Sequence, residues 1–195
     1  MWIPYDALAG ASAGVLAATV AISACAPDDD RSLEASSERP VGATAQSVER
    51  ATAAYDISNA EGEVVGRLTL TDGAGGVLVE VEIDGLEPGE HGFHLHETGR
   101  CEPPFESAGG HYAPSGRAHG LLSDDGPHAG DLPNLVVANG GTTTVAHAWA
   151  NGLTIDELTA GDGSALVIHA GPDDYRTDPA GAAGDRVACA EITRG

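Results

Sequence analysis

VVGRLTLTDGAGGVLVEVEID, residues Val64–Asp84, decides the fold class. In its first half Leu68 and Leu70 alternate with Arg67, Thr69 and Thr71, and in its second Val77, Val79, Val81 and Ile83 alternate with Glu80, Glu82 and Asp84. A period of two places one set of side chains on one face of a strand and the other set on the opposite face. The glycine-rich Asp72–Gly76 between the halves is short enough to turn the chain straight back. Two amphipathic strands joined in this way form an antiparallel hairpin with one buried face.

The same pattern extends in both directions. Ala53–Asn59 precedes the hairpin across the short Ala60-Glu61-Gly62-Glu63, and Gly85–Glu90 is a turn or crossover into the strand His91–Glu97. Asn134–Ala138, Thr142–Trp149, Ala165–Ala170 and Val187–Ile192 read as four further strands, and Leu153–Leu158 as a short helical turn. With 27 glycines and only 4% aromatic residues, short strands and many turns suit the composition better than long helices. The expectation is an all-β domain, an eight-stranded antiparallel Greek-key barrel or immunoglobulin-like sandwich. Two long loops, 98–133 and 171–186, lack periodicity, and loops of that length in a compact domain usually carry function.

The termini and the charge set the context. At 195 residues there is room for one domain plus appendages. Residues 1–24 read as a secretory signal ending in Ile22-Ser23-Ala24-Cys25, which is similar to a bacterial lipobox with Cys25 as the lipidated residue. The first ten residues carry Asp6 and no basic residue, unlike most such signals, and an uncleaved single-span anchor is the alternative. Residues 25–52 are polar and acidic and read as a disordered, lipid-anchored linker, leaving 53–195 as the globular domain. The protein is then exported, periplasmic or in the cell envelope, and meets a membrane only through that anchor. The formal net charge is −21, and all nine basic residues are arginine. Such a surface repels nucleic acid and anionic lipid, so neither is an expected partner. Both a monomer and a homodimer are compatible with this pattern.

The chemistry concentrates between His91 and Asp131, which hold six of the eight histidines. On a strand, His94 and His96 project from one face while Phe93 and Leu95 project from the other. His111, His119, His128 and Asp131 follow at short intervals in the loop. Imidazole is the commonest metal ligand, and three imidazoles with one carboxylate make a suitable tetrahedral zinc set. A strand and a long loop together therefore predict a metal site.

Gly89-Glu90-His91-Gly92-Phe93-His94-Leu95-His96-Glu97, Gly110-His111-Tyr112-Ala113-Pro114 with His119, His128-Ala129-Gly130-Asp131 and Asn134, Leu166-Val167-Ile168-His169 with Asp173-Asp174, and Gly184-Asp185-Arg186-Val187-Ala188-Cys189 together resemble the Cu,Zn superoxide dismutase family in its exported bacterial form. The resemblance spans about residues 53–192. It implies copper bound by His94, His96, His111 and His169, and zinc bound by His111, His119, His128 and Asp131, with His111 bridging. It further implies Asp173 as a carboxylate that orients ligand histidines, Arg186 as the catalytic cation that receives superoxide, and a Cys101–Cys189 disulfide. His91 matches a histidine that supports the barrel without binding metal. The implied reaction is dismutation of superoxide to dioxygen and hydrogen peroxide. An exported copper- and zinc-binding or copper-handling lipoprotein without fast turnover is the alternative, against which Arg186 argues, since storage needs no anion-guiding cation. Two departures stand out. Pro133 follows Asp131-Leu132 where glycine is common in the family, and no lysine is available to guide an anion, so that either Arg100, Arg117 or Arg176 takes the task or steering is weak.

Overall fold

A computed structural model describes residues 49–140 and 143–195. The proposed signal, Cys25 and most of the proposed linker lie outside the described residues. Nine strands occur among them: β1 (Thr52–Asn59), β2 (Val64–Gly73), β3 (Gly76–Asp84), β4 (Gly89–His91), β5 (Phe93–His96), β6 (Leu135–Val137), β7 (Thr143–Asn151), β8 (Ser164–His169) and β9 (Arg186–Ile192). A single 3-10 turn, Glu106–Ala108, and a four-residue helix α1, Ile155–Leu158, complete the regular structure. Seven strands form one curled antiparallel sheet in the order β5-β8-β9-β1-β2-β3-β7, and β4 pairs with β6 separately.

β3 shows why a one-residue slip of register is excluded. Val77, Val79, Val81 and Ile83 are at most 1% exposed, whereas Leu78 and the acidic positions between them face outward. Each inward residue contributes about 1.5–3 kcal/mol of burial. A slip of one position would put Glu80, Glu82 and Asp84 into the core instead. The partner faces of β2 and β7 supply Leu68, Leu70, Ala148 and Ala150 to the same core. α1 is short but well started: Thr154 and Glu157 form a reciprocal capping box.

One expected strand is two. His91–Glu97 breaks at Gly92, where the chain changes partners: β4 pairs with β6, while β5 pairs with β8. The Gly92 N–H donates to Gly171 O at 2.9 Å, and its carbonyl accepts the His169 N–H at 2.8 Å. The periodicity continues through this change of partner, and Gly92 inside the strand pattern is its one local sign.

β8 is buried along its whole length. Leu166 and Ile168 join the main core, while Ala165 and Val167 join a second small cluster with Phe105, Ala108 and Cys189. The second cluster exists because the loop after β5 folds over the sheet and is tied there by a Cys101–Cys189 disulfide, Cα–Cα 5.8 Å.

Candidate metal centre

β5 presents His94 and His96 on one face, as its spacing predicts, and all four of its residues are buried. Phe93 and Leu95 face the main core. His94 and His96 are covered by the long loop, which adds bridges from His94 to Asp131 and from His96 to His111. Glu97 secures the crossing: its N–H donates to Gly110 O, and its carboxylate accepts the Gly110 N–H, both at 3.0 Å. His169, at the end of β8, arrives from 73 residues beyond His96 (169 − 96) and completes a group with His94, His96 and His111.

Among the described residues, the buried side-chain polar atoms without a hydrogen-bond partner are His94 Nδ1, His96 Nε2, His111 Nε2 and His169 Nε2. Buried polar atoms are almost always paired. Four orphans drawn from four clustered imidazoles therefore fit a soft-to-borderline cation that takes nitrogen ligands, as copper does. Their opposite nitrogens are fixed: His96 Nδ1–H donates to Gly109 O at 3.0 Å, His169 Nδ1–H to Gly184 O at 3.2 Å, and His94 Nε2 lies 2.9 Å from Asp173 Oδ2. Burial, then the neighbouring His111, push His96 down to about 2. Burial, then His94, push His169 down to about 4, and burial also takes His111 to about 4 against the pull of Asp131. All three rings are thus neutral near pH 7, the form that can ligate a metal.

A second group shares His111. The Nδ1 atoms of His111, His119 and His128 lie 2.9, 3.0 and 3.2 Å from Asp131 Oδ1, while Oδ2 accepts the N–H groups of Gly120 and His128. Burial works to raise Asp131, but the hydrogen bonds from His111, His119 and the Gly120 amide hold it well below the usual carboxylate range. His119 is flanked by Asp131 and, through Nε2 at 3.0 Å, by Asp173. Burial alone would lower it, and the two carboxylates outweigh burial and raise it to about 9. Three imidazole nitrogens crowded on one carboxylate oxygen are a three-histidine, one-carboxylate set of the zinc type. Asp173, almost fully buried, spans the two groups by holding His94 with one oxygen and His119 with the other.

Arg186, at the start of β9, is half-buried beside this centre. Its guanidinium donates to Phe105 O at 2.6 Å and Gly109 O at 2.8 Å, the residues that bracket the 3-10 turn. Burial lowers its pKa, with Glu106 pulling it back. It lines a depression of about 650 Å³ together with Glu61, Glu106 and Asp185. None of Arg100, Arg117 and Arg176 lines that depression: Arg100 pairs with Glu102 at 3.8 Å, Arg176 donates to Leu122 O, and Arg117 faces another recess beside His128. His91 stands apart from both groups, between the carbonyls of His169 and Glu87 at 2.7 and 2.8 Å. Pro133 is exposed, and Leu132 beside it is fully buried, so the substitution leaves the loop seated on the core.

Several contributors had no side-chain signature. Phe105 and Gly109 act through carbonyls, and only the Gly109-Gly110 pair hinted at an unusual turn; a Cβ on Gly109, at φ 76°, would meet the Glu97 carboxylate at 2.7 Å. Tyr175 likewise gave no sign.

Comparison with known proteins agrees with this geometry. Residues 64–192 match the family model described as copper/zinc superoxide dismutase. A Cu-Zn superoxide dismutase of Aquifex aeolicus is 46% identical over 144 residues, covering 70% of this chain and 84% of the relative, and that of Escherichia coli K12 is 35% identical over 145 residues, covering 69% and 82%. Among solved structures, a P104H mutant of a superoxide dismutase-like protein from Bacillus subtilis superposes with a TM-score of 0.70 at 35% identity, covering 74% of this chain and 100% of that one. The chain belongs to the copper/zinc superoxide dismutase family, and its reaction is the dismutation of superoxide with copper and zinc as cofactors.

Proposed function

We propose that His94, His96, His111 and His169 hold copper and that His111, His119, His128 and Asp131 hold zinc, with His111 shared between them. One observation carries this division: the four orphaned nitrogens are His94 Nδ1, His96 Nε2, His111 Nε2 and His169 Nε2, while the Nδ1 atoms of His111, His119 and His128 converge on Asp131. When bound at His94, His96, His111 and His169, copper would supply the one-electron redox chemistry by which two superoxide ions and two protons become dioxygen and hydrogen peroxide.

The chain's own residues do the rest. His111 ties the two groups together and offers Nε2 as a place to hold a proton while Nδ1 stays at Asp131. Asp173 fixes the ring planes of His94 and His119. Arg186 receives the anion, held rigid by two carbonyls so that its charge does not wander. A local cation matters here because the field of a −21 protein opposes an approaching anion; electrostatic steering is a process for which superoxide dismutases are themselves a standard example. The protein works outside the cytoplasm, tethered through Cys25; support comes from the Ile22–Cys25 pattern and from a disulfide in the domain, a bond favoured in oxidising compartments.

The test uses the full chain. Copper and zinc are quantified per protein, dismutation is assayed, and the same is done for His169→Ala and Arg186→Ala. The expected result is one copper and one zinc, loss of copper in His169→Ala, and retained metals with a rate lower by about 10-fold or more in Arg186→Ala. Metal-loaded but inactive wild-type protein would sink the functional reading.

A further inference from the structure

Resting on the ligand sets proposed above, we infer that Tyr175 and Asn134 are positioning residues for the metal centre, acting through Asp173. Among the described residues, Asp173 is the carboxylate that joins His94, a member of the first group alone, to His119, a member of the second group alone, so its placement sets both rings at once. Its own placement comes from a closed ring of contacts. The Tyr175 N–H donates to Asp173 Oδ1 at 2.6 Å. The Tyr175 hydroxyl oxygen accepts the Asn134 N–H at 2.8 Å. The Asn134 side chain then grips the Asp173 backbone from both sides, with Nδ2–H donating to Asp173 O at 3.0 Å and Oδ1 accepting the Asp173 N–H at 2.9 Å.

Backbone conformation points the same way. Tyr175 has φ 62°, a left-handed value that is uncommon for a bulky residue and costs free energy unless its surroundings hold it. What the unusual turn achieves is the simultaneous aim of its amide at the carboxylate and its hydroxyl at Asn134, the residue before β6, while its carbonyl accepts the Leu122 N–H at 3.1 Å. Three segments therefore meet at one residue: the histidine-bearing loop, the start of β6 and the loop after β8. Gly181 closes the opposite side, since a Cβ there would collide with Asp173 Oδ1 and lie 2.8 Å from His119 Nε2. Carboxylates that orient ligand histidines typically govern metal affinity by about 10–100-fold, and that leverage passes to whatever fixes the carboxylate.

Tyr175→Phe removes only the hydroxyl acceptor, and Asn134→Asp keeps the acceptor for the Asp173 N–H but sets an oxygen against the Asp173 carbonyl. Zinc affinity is measured by chelator competition, and the EPR spectrum of the copper-loaded protein is recorded, for both variants and for Thr154→Ala, which disrupts a helix cap whose hydrogen bonds stay within residues 154–158. Zinc affinity falls about 10-fold in Tyr175→Phe and at least as far in Asn134→Asp, with an altered copper spectrum in both, while Thr154→Ala leaves affinity and spectrum unchanged. Wild-type affinity and spectrum in both site variants, or an equal loss in Thr154→Ala, would overturn the inference. Wild-type protein that binds no zinc at these residues would instead overturn the ligand sets beneath it.

Discussion

Replacing both cysteines, in Cys101→Ala/Cys189→Ala, separates two consequences of one covalent bond. The disulfide closes a loop with a sequence separation of 88. In the chain-entropy model, denying the unfolded chain that freedom contributes about 4–5 kcal/mol. For a domain of this size that corresponds to a fall in Tm of roughly 9–18 °C in the metal-free protein. Metal-free protein is the right material, because bound metal adds its own stabilisation and would mask the difference. The second consequence concerns the site. Cys101 anchors the loop whose Phe105 and Gly109 carbonyls hold Arg186, and Phe105 and Ala108 pack with Cys189 in the small cluster under β8. With the tether cut, that loop loses its covalent restraint and Arg186 its fixed direction, so kcat/KM falls on the order of 10-fold while copper and zinc content stay near wild type. Urea and thermal unfolding read the first consequence, and metal analysis with a dismutation assay reads the second. A destabilisation below about 1 kcal/mol would refute the loop-entropy reasoning, and an unchanged kcat/KM would show that Arg186 is aimed without the disulfide.

Glu106→Gln removes the acid that acts most directly on Arg186. It is expected to raise kcat/KM at low ionic strength and to do so less at 0.15 M salt, where charges more than about 8 Å apart are screened; a rate that ignores both the substitution and salt would argue against an electrostatic penalty at this mouth. Gly181→Ala puts a methyl group against Asp173 and His119 at a backbone with φ +63°, so zinc retention and stability drop together, as chelator competition and thermal unfolding would read. The metal-free protein should be most stable near pH 6.5. As pH falls below that value the unfolded chain protonates His96, His111 and His169 while the folded chain, with those groups at about 2, 4 and 4, does not, so stability is lost toward pH 4 and further as the lowered Asp131 and Asp173 are titrated. As pH rises from 6.5 through about 9, the folded chain retains the His119 proton that the unfolded chain has released, and that contribution is lost in turn. Unfolding midpoints across pH 4–10 check this shape, and a monotonic rise would contradict it.

What could be read before any coordinates was whatever local chemistry encodes. Alternation along Val64–Asp84 determined the strand faces, because a two-residue period puts one set of side chains on the buried side, while the pairing across the hairpin came from the structure. Spacing and residue type named His94, His96, His111, His119, His128 and Asp131 as a metal site, since few other side chains serve a metal, whereas His169 entered only through the family resemblance. The break of His91–Glu97 showed only as Gly92 within the strand, and the change of partner itself was hidden, because a strand looks the same whichever neighbour it pairs with.

Only the tertiary structure decided which histidines meet. His111 belongs to both groups because one nitrogen faces His94, His96 and His169 and the other faces Asp131, a matter of ring orientation that no spacing expresses. Asp173 is held across the two groups by the Tyr175 amide and the Asn134 side chain, and Arg186 is aimed because the Phe105 and Gly109 carbonyls converge on it. Backbone groups are the same at every position of a sequence, and they acquire individual roles only when the fold brings distant ones together.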